Sequence, residues 1–179
     1  KIIKMQKYDK FKKIYSKFII PTPHKKSILM SKKFHGGVLM DMGPYISSIP
    51  RLFSLKTILN KKIKIRKNKE RLITSIRFLI NFKEGIYNGV FEFGGKYKNQ
   101  IKISSKEKTI IINRVFSPPD NENLNLVLIL KKKKKIFRLK RDNCFNNFFK
   151  EILKILKKKK YFFYYKRMSD DINFRSNLI

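Results

Sequence analysis

The fold of this chain is organised around residues 33–45, which read Lys33-Phe34-His35-Gly36-Gly37-Val38-Leu39-Met40-Asp41-Met42-Gly43-Pro44-Tyr45. Three of the chain's 7 glycines lie here, and two adjacent glycines allow a tight turn or a close backbone approach. An apolar run after the turn ends at Asp41, and Tyr45 follows four residues later. If the segment is helical, Asp41 and Tyr45 share one face. The spacing equally fits a plainer interpretation, in which Asp41 caps a helix and Tyr45 is half-buried packing.

Two stretches of this sequence resemble one enzyme family. The run from Gly36 to Tyr45 resembles the Gly-Gly-Gly-x-x-x-Asp-x-Gly-x-His/Tyr signature of the Gfo/Idh/MocA family, the NAD(P)-dependent oxidoreductases named for glucose–fructose oxidoreductase and inositol dehydrogenase. Residues 97–119, which close on Phe116-Ser117-Pro118-Pro119, resemble the family's two strands around a short turn. Two positions depart from the pattern: His35 replaces the usual first glycine, and the turn reads Ser105-Lys106-Glu107-Lys108.

The signature opens the C-terminal, substrate-binding domain of that family, and the N-terminal half has no counterpart here. The sequence has no Gly-x-Gly-x-x-Gly and no Glu-Lys-Pro segment, and it starts at Lys1 rather than Met. We therefore expect a fragment of a longer polypeptide. Residues 1–12 would be the tail of a missing N-terminal Rossmann domain or a linker. Residues 13–179 would form the C-terminal α+β domain for substrate binding and oligomerisation.

The resemblance implies an oxidoreductase that moves a hydride between a nicotinamide and a hydroxyl carbon of a sugar or polyol. It places the catalytic pair at Asp41 and Tyr45. Tyr45 would transfer the proton, unless a lysine of the missing domain does so, and Asp41 would orient it or bind a substrate hydroxyl. From its position at the mouth of the turn, His35 is the candidate substrate-binding residue; the alternative is an ordinary solvent-exposed loop histidine. NAD or NADP would be bound mainly by the missing domain, with no cofactor-binding residue in this fragment.

Length and composition favour a single soluble domain. The chain has 179 residues, of which 42% are hydrophobic, so it can bury a substantial core. It has no apolar run near 18 residues and no signal peptide, so we expect no membrane partner. A single cysteine, Cys144, fits a reducing, cytoplasmic setting. His24, His35 and Cys144 have no metal-ligand spacing, and no metal site is expected.

The net charge of +33 at first indicates a nucleic-acid partner. However, 36 of the 45 basic residues are Lys, whereas Arg is the better bidentate reader of phosphates and bases. The chain also lacks alanine and is rich in Ile, Phe and Asn, as an A/T-rich genome would produce. We expect no specific nucleic-acid binding. Two alternatives to the enzyme remain: a basic nucleic-acid-binding module, and a non-catalytic or decayed sheet domain.

Alternating apolar residues predict a run of strands. The predicted strands are 13–20, 58–67, 72–82, 86–93, 99–104, 109–113, 124–130 and 136–140. The predicted fold class is α+β, a mostly antiparallel open sheet of about six or more strands with helices packed on one face. The resemblance implies that the other face makes a homodimer or homotetramer.

Helices are predicted on both sides of the strand run. A helix over residues 38–53 fits best if its regular part begins near Gly43, which makes Pro44 a first-turn residue. A second helix follows an N-cap at Asp142-Asn143 and carries a core-facing stripe of phenylalanines and aliphatic residues. Ser169-Asp170-Asp171 predicts the cap of a last short helix. Residues 131–135, all lysine, predict an exposed hairpin tip.

Overall fold

The structure is a computed structural model that describes residues 11–120, 122–131, 133–159 and 161–179. Within these residues the chain forms eight strands and four α-helices. The strands are β1 (Lys13–Ile20), β2 (Ile58–Lys67), β3 (Ile73–Phe82), β4 (Ile86–Phe93), β5 (Lys98–Ser104), β6 (Lys108–Asn113), β7 (Asn125–Leu130) and β8 (Lys133–Arg138). The helices are α1 (Val38–Asp41), α2 (Gly43–Leu52), α3 (Cys144–Lys157) and α4 (Tyr161–Ser176), and a 3-10 turn covers Ile28–Met30.

The strands form one open sheet in the order β2-β3-β4-β1-β5-β6-β7-β8. β1 pairs in parallel with β4, and the other neighbouring strands pair antiparallel. β1 lies in the middle of the sheet, where Phe18 is opposite Phe91 of β4 and opposite Asn99 of β5. The predicted fold class, α+β with a mostly antiparallel open sheet, is confirmed.

The core lies between the middle of the sheet and the helices. Alternate residues of the central strands are buried, as the period of two along a strand requires. Examples are Ile14 and Phe18 of β1, and Tyr87 and Phe91 of β4. Ile46 of α2 is fully buried in the same cluster. Burial of each such side chain contributes roughly 1.5–3 kcal/mol, so this sheet face fixes where α2 lies.

Helix α4 is held against α2 and the sheet. The Arg51 guanidinium donates two hydrogen bonds of 3.0 Å to the Asp171 carboxylate. The Phe174 ring stacks on Phe82 with centroids 6.4 Å apart, and Leu178 is buried beyond the helix end. The predicted cap at Ser169-Asp170-Asp171 is wrong, because α4 begins at Tyr161 and runs through these residues. The contact of Asp171 with Arg51 of α2 stabilises the longer helix.

Helix α3 begins as predicted but does not bury the predicted stripe. The Asn143 side chain accepts a hydrogen bond from the Asn146 backbone N–H at 2.8 Å, which confirms the N-cap. Phe145 is 72% exposed, and Phe148 and Phe149 are each 60% exposed. The prediction of a core-facing stripe is wrong for the described residues, because an amphipathic pattern identifies an apolar face but does not supply the surface that covers it.

Two of the predicted segments lie next to strands: the lysine run 131–135 next to β8, and the tail 1–12 next to β1. β8 begins at Lys133, so part of the predicted lysine tip is strand. Residues 1–10 of the predicted tail or linker lie outside the described residues. Phe11, within the same predicted segment, is buried and packs edge-on against Phe53 with centroids 6.5 Å apart. None of the described helices is long and apolar enough to cross a membrane.

The sheet face opposite the helices carries one buried carboxylate. Glu92 of β4 is 6% exposed, and its two oxygens each accept a 2.8 Å hydrogen bond, one from Arg66 of β2 and one from Arg77 of β3. Burial raises the pKa of Glu92, but the hydrogen bonds and charges of the two arginines outweigh this, and the pKa lies below its ordinary value. These ion pairs connect three neighbouring strands.

Candidate functional site

The glycine turn at the start of α1 needs both of its glycines. A Cβ atom on Gly36 would lie 2.5 Å from the backbone oxygen of Leu29, and one on Gly37 would lie 2.9 Å from that of Ile73. Gly37 also has a φ of 101°, which L residues rarely adopt. The turn therefore brings the start of α1 into close contact with the start of β3.

Asp41 is the last residue of α1. Although Asp41 is exposed at the surface, neighbouring protein atoms desolvate its carboxyl and raise its pKa above the ordinary value. Its side chain does not cap α2, whose N-cap residue is Met42 with no side-chain cap hydrogen bond. Among the described residues the Asp41 carboxylate has neither an ion pair nor a hydrogen-bond donor. It is therefore free to accept a hydrogen bond from a ligand.

Tyr45 lies in the first turn of α2, directly after Pro44, as the placement of that proline predicted. The Tyr45 ring is half-buried, with its centroid 5.7 Å from that of Phe18 and 5.3 Å from that of Phe116. Its hydroxyl is 2.6 Å from the Ser117 hydroxyl, and either oxygen can be the donor. The ring is thus held by apolar contacts, while its hydroxyl oxygen lies at the polar edge of the core.

Asp41 and Tyr45 do not share one uninterrupted helix. Met42 separates α1 from α2 with φ −99° and ψ −6°, and α2 restarts at Gly43 because Pro44 cannot donate within an ongoing helix. No hydrogen bond joins the two side chains within the described part of the chain. Asp41 ends α1 and Tyr45 lies in the first turn of α2, and the catalytic role of the two residues stays a prediction.

His35 lies at the mouth of the glycine turn with a φ of 52°. It is exposed and lines a surface cleft of about 230 Å³ together with Lys32, Glu70, Arg71 and other residues. The described lining of this cleft includes neither Asp41 nor Tyr45. A molecule bound in the cleft would contact His35 and these charged side chains, and the predicted substrate-binding role of His35 stays a prediction.

Ser117 belongs to the site, although the residue pattern alone did not single it out. Asn99, buried on β5, binds both backbone groups of Phe116, the residue before Ser117. The Phe116 N–H donates to Asn99 Oδ1 at 3.0 Å, and Asn99 Nδ2 donates to the Phe116 backbone oxygen. Ser117 follows with a φ of 50°. The signal that could have identified it is the Phe-Ser-Pro-Pro segment, which also carries part of the family resemblance.

Helix α4 also reaches the site, through a residue that sequence reasoning missed. A Cβ atom on Gly43 would lie 2.7 Å from Arg175 Cδ, so Arg175 packs directly over the start of α2. A side chain at position 43 would therefore require the Arg175 side chain to move. No sequence pattern connected these two positions, because they are brought together only by the packing of α4 on α2.

The described residues do not fit a dinucleotide cofactor. A pyrophosphate is held where a glycine-rich turn joins a strand to the N-terminus of a helix. In the described part of the chain, Gly36-Gly37 precede a helix of only 4 residues, and Gly94-Gly95 join strand β4 to strand β5. Those residues also contain no group of three or more His, Cys, Asp or Glu side chains placed to hold a metal ion.

Comparisons with known proteins identify the fold. No protein-family model matches this sequence, and no curated protein matches it. Solved structures match at low identity. A variant of KijD10, a 3-ketoreductase from Actinomadura kijaniata in complex with TDP-benzene and NADP, has a TM-score of 0.77 at 14% identity. That match covers 99% of this chain and 54% of the 3-ketoreductase.

Two other oxidoreductases share the fold. Aldose-aldose oxidoreductase from Caulobacter crescentus, complexed with glycerol, has a TM-score of 0.65 at 13% identity, over 79% of this chain and 44% of its own. UDP-N-acetylglucosamine 3-dehydrogenase from Acidithiobacillus ferrooxidans has a TM-score of 0.58 at 10% identity, over 79% and 43%. The chain therefore has the fold of one part of these sugar oxidoreductases and spans about half of their length.

Proposed function

We propose that this chain is the substrate-binding domain of a two-domain NAD(P)-dependent oxidoreductase that acts on a hydroxyl-bearing carbon of a sugar or polyol. Residues 13–179 would form this domain, and residues 1–12 would connect it to an N-terminal nucleotide-binding domain. The observation that carries the proposal is the Tyr45 phenol, held at the first turn of α2 by two rings and the Ser117 hydroxyl, in a fold shared with sugar oxidoreductases.

In this proposal Tyr45 moves the proton of the reacting hydroxyl. A general base or acid must lie within hydrogen-bond reach of that proton, and Tyr45 places its oxygen at the edge of the core, at a fixed distance from Ser117. Asp41 would accept a hydrogen bond from another substrate hydroxyl, which suits a carboxylate with no partner among the described residues. His35 would contact the substrate from the neighbouring cleft.

The cofactor would be held by the other domain. NAD or NADP is proposed because structures with this fold were solved with NADP and because the resemblance implies it. The described residues do not supply a pyrophosphate site, so the contribution of this chain is limited to substrate binding and proton transfer. A sugar or sugar-nucleotide substrate is proposed on the same basis, since the neighbours are described as a 3-ketoreductase, an aldose-aldose oxidoreductase and a UDP-N-acetylglucosamine 3-dehydrogenase.

The sheet face away from the helices is proposed as the contact between copies in a homodimer or homotetramer. This face carries both apolar and charged side chains. Protein–protein interfaces likewise combine an apolar core with a polar rim. A shallow hollow of about 410 Å³ on this face is lined by residues of β1, β3, β4 and β5, including Tyr15, Leu79, Asn88 and Lys102.

The test of the proposed function begins with the DNA upstream of the codon for Lys1. An in-frame strand followed by a glycine-rich phosphate-binding turn supports it, and a stop codon favours a decayed domain. The encoded full-length polypeptide is then assayed with NAD and NADP against polyols, aldoses and sugar nucleotides, by following reduced nicotinamide. Absence of turnover across the panel, for a folded protein that binds the cofactor, would reject the proposal.

A further inference from the structure

Asn99 fixes the position of the loop that follows β6. Its side chain is buried, and both ends of its amide are used: Oδ1 accepts from the Phe116 N–H at 3.0 Å, and Nδ2 donates to the Phe116 oxygen. The backbone N–H of Arg114 also donates to the backbone oxygen of Asn99 at 2.6 Å. A buried amide with its polar groups satisfied is costly to disturb, so residues 114–116 are held firmly against β5.

The Phe116 ring packs in the aromatic cluster around Tyr45 and so connects this fixed backbone to Tyr45. Phe116 is 4% exposed, and its ring centroid lies 5.6 Å from Phe18, 5.9 Å from Phe91 and 5.3 Å from Tyr45. These separations lie in the range in which aromatic pairs attract each other. The backbone on the N-terminal side of Ser117 is therefore fixed by two hydrogen bonds and by packing on three rings.

Ser117 then presents its hydroxyl to Tyr45. A φ of 50° turns the chain at this residue, and its oxygen lies 2.6 Å from the Tyr45 oxygen. A serine hydroxyl can both donate and accept, because its hydrogen rotates to suit the partner. The same contact can therefore be kept whether the Tyr45 oxygen carries its proton or has lost it.

We propose that Ser117 is a positioning residue for Tyr45, which holds the phenol oxygen in one orientation through a complete proton transfer. This inference rests on the proposed function, in which the proton of the substrate hydroxyl passes to the ionised Tyr45 oxygen. Ser117 keeps its own proton throughout: it donates to Tyr45 when Tyr45 is ionised and can accept from it afterwards. Ser117 does not contact the substrate in this scheme and acts only through Tyr45.

The contact itself is tested in this 179-residue chain, without any assay of activity. Unfolding by urea is compared for the wild type, Tyr45→Phe, Ser117→Ala and the double variant. A hydrogen bond of ordinary net strength predicts about a fivefold coupling between the two substitutions in the unfolding equilibrium constant. The matched control is Ser104→Ala, because Ser104 also pairs with a hydroxyl, that of Thr109 at 3.1 Å, but not with Tyr45. It should show no coupling to Tyr45→Phe, and lack of coupling for Ser117→Ala as well would overturn the inference.

The positioning role is tested in the full-length enzyme. Ser117→Ala should lower kcat about tenfold with little change in KM, and the effect should vanish in the Tyr45→Phe background, because Ser117 acts only through the phenol oxygen. Full activity of Ser117→Ala beside an inactive Tyr45→Phe would overturn the positioning role and leave the proposed function standing. Full activity of Tyr45→Phe would reject the proposed proton transfer itself, whatever the unfolding experiment shows.

Discussion

The hydroxyls of Tyr45 and Ser117 are 2.6 Å apart, although the two residues are separated by 72 positions in the chain. Tyr45 ends the glycine-rich stretch from which the sequence was interpreted, and Ser117 lies in the Phe-Ser-Pro-Pro segment. The sequence presents these stretches as separate motifs. The fold joins them, because the Tyr45 ring packs against Phe18 of β1 and against Phe116, the residue before Ser117.

The first prediction concerns Tyr45 and Asp41 in the proposed full-length enzyme. Tyr45→Phe should lower turnover by about 10²–10⁴, the usual contribution of general acid–base catalysis, and Asp41→Asn should lower it as well. Both substitutions nearly preserve volume, so packing should change little. Steady-state rates on a polyol and sugar-nucleotide panel measure the effect, and thermal melts serve as the folding control. Near-normal rates in both variants would remove these residues from the site.

The second prediction is that this chain alone binds neither NAD nor NADP with useful affinity. The glycine turns of the described residues do not join a strand to a helix long enough to hold a pyrophosphate. Titration calorimetry of the 179-residue chain with each dinucleotide measures this, with the proposed full-length enzyme as the positive control. Micromolar binding by the chain alone would show that the cofactor site lies partly or wholly within it.

The third prediction is that nucleic-acid binding is weak and independent of sequence. The positive charge is dominated by lysine and is spread along the whole chain, as in the exposed residues 133–135 of β8. Binding that depends on phosphate neutralisation weakens steeply with salt. Fluorescence anisotropy with a random and a defined duplex, at low and physiological salt, measures it. Retention of one defined duplex over random competitor at physiological salt would favour the nucleic-acid-binding alternative.

The strands were predictable because the alternation of apolar residues is a local signal, whereas the pairing of one strand with another was not predictable. Alternation along 13–20 gave β1 the bounds that the structure has, Lys13–Ile20. The same alternation carries no information on pairing, and the parallel partnership of β1 with β4 came only from the structure. In the candidate site, Tyr45 was found by spacing and resemblance. Arg175 and Asn99 were not, because their roles depend on packing between distant segments.

The helices show the same difference between what a local signal predicts and what depends on tertiary packing. The N-cap at Asn143 and the apolar periodicity of α3 are local signals, and together they predicted this helix correctly. The burial of that helix is a tertiary property, and its phenylalanines proved exposed. In α4 the apparent cap at Ser169-Asp170-Asp171 was overridden, because Asp171 pairs with Arg51 and Phe174 stacks on Phe82.

The fourth prediction compares two phenylalanines of opposite environment. Phe91 of β4 is fully buried and packs against the rings of Phe78 and Phe116, so Phe91→Ala should cost about 3–5 kcal/mol in the free energy of unfolding. Phe148 on α3 is 60% exposed, and Phe148→Ala should change it by about 0.5 kcal/mol or less. Urea unfolding of this chain measures both. A large loss from Phe148→Ala would show that the apolar face of α3 is covered in solution.

The fifth prediction concerns pH and the Glu92 ion pairs. Glu92 accepts hydrogen bonds from Arg66, Arg77 and Ser75, which hold β2, β3 and β4 together. Glu92→Gln preserves the volume but removes the charge, so it should cost about 2 kcal/mol in the free energy of unfolding at pH 7, the order of hydrogen bonds to charged groups.

The sign of the pH dependence follows from the lowered pKa of Glu92. The folded-state pKa lies below the ordinary value of 4.5, so the carboxylate contributes its full stabilisation above that value. As the pH falls from 4.5 through the folded-state pKa, the proton binds in both states and the contribution disappears. The difference in unfolding free energy between wild type and Glu92→Gln should therefore be constant above pH 4.5 and shrink toward zero below it.

Urea unfolding at a series of pH values measures this difference, and Glu107→Gln is the matched control. Glu107 is exposed in the turn between β5 and β6, so its substitution should change the unfolding free energy little at any pH. Both variants lose one negative charge relative to the wild type at pH 7, so the general repulsion among the many lysines is alike in the two variants and the control measures its effect. A difference between wild type and Glu92→Gln that persists unchanged at acid pH would mean that the packing of the side chain, rather than its charge, connects the three strands.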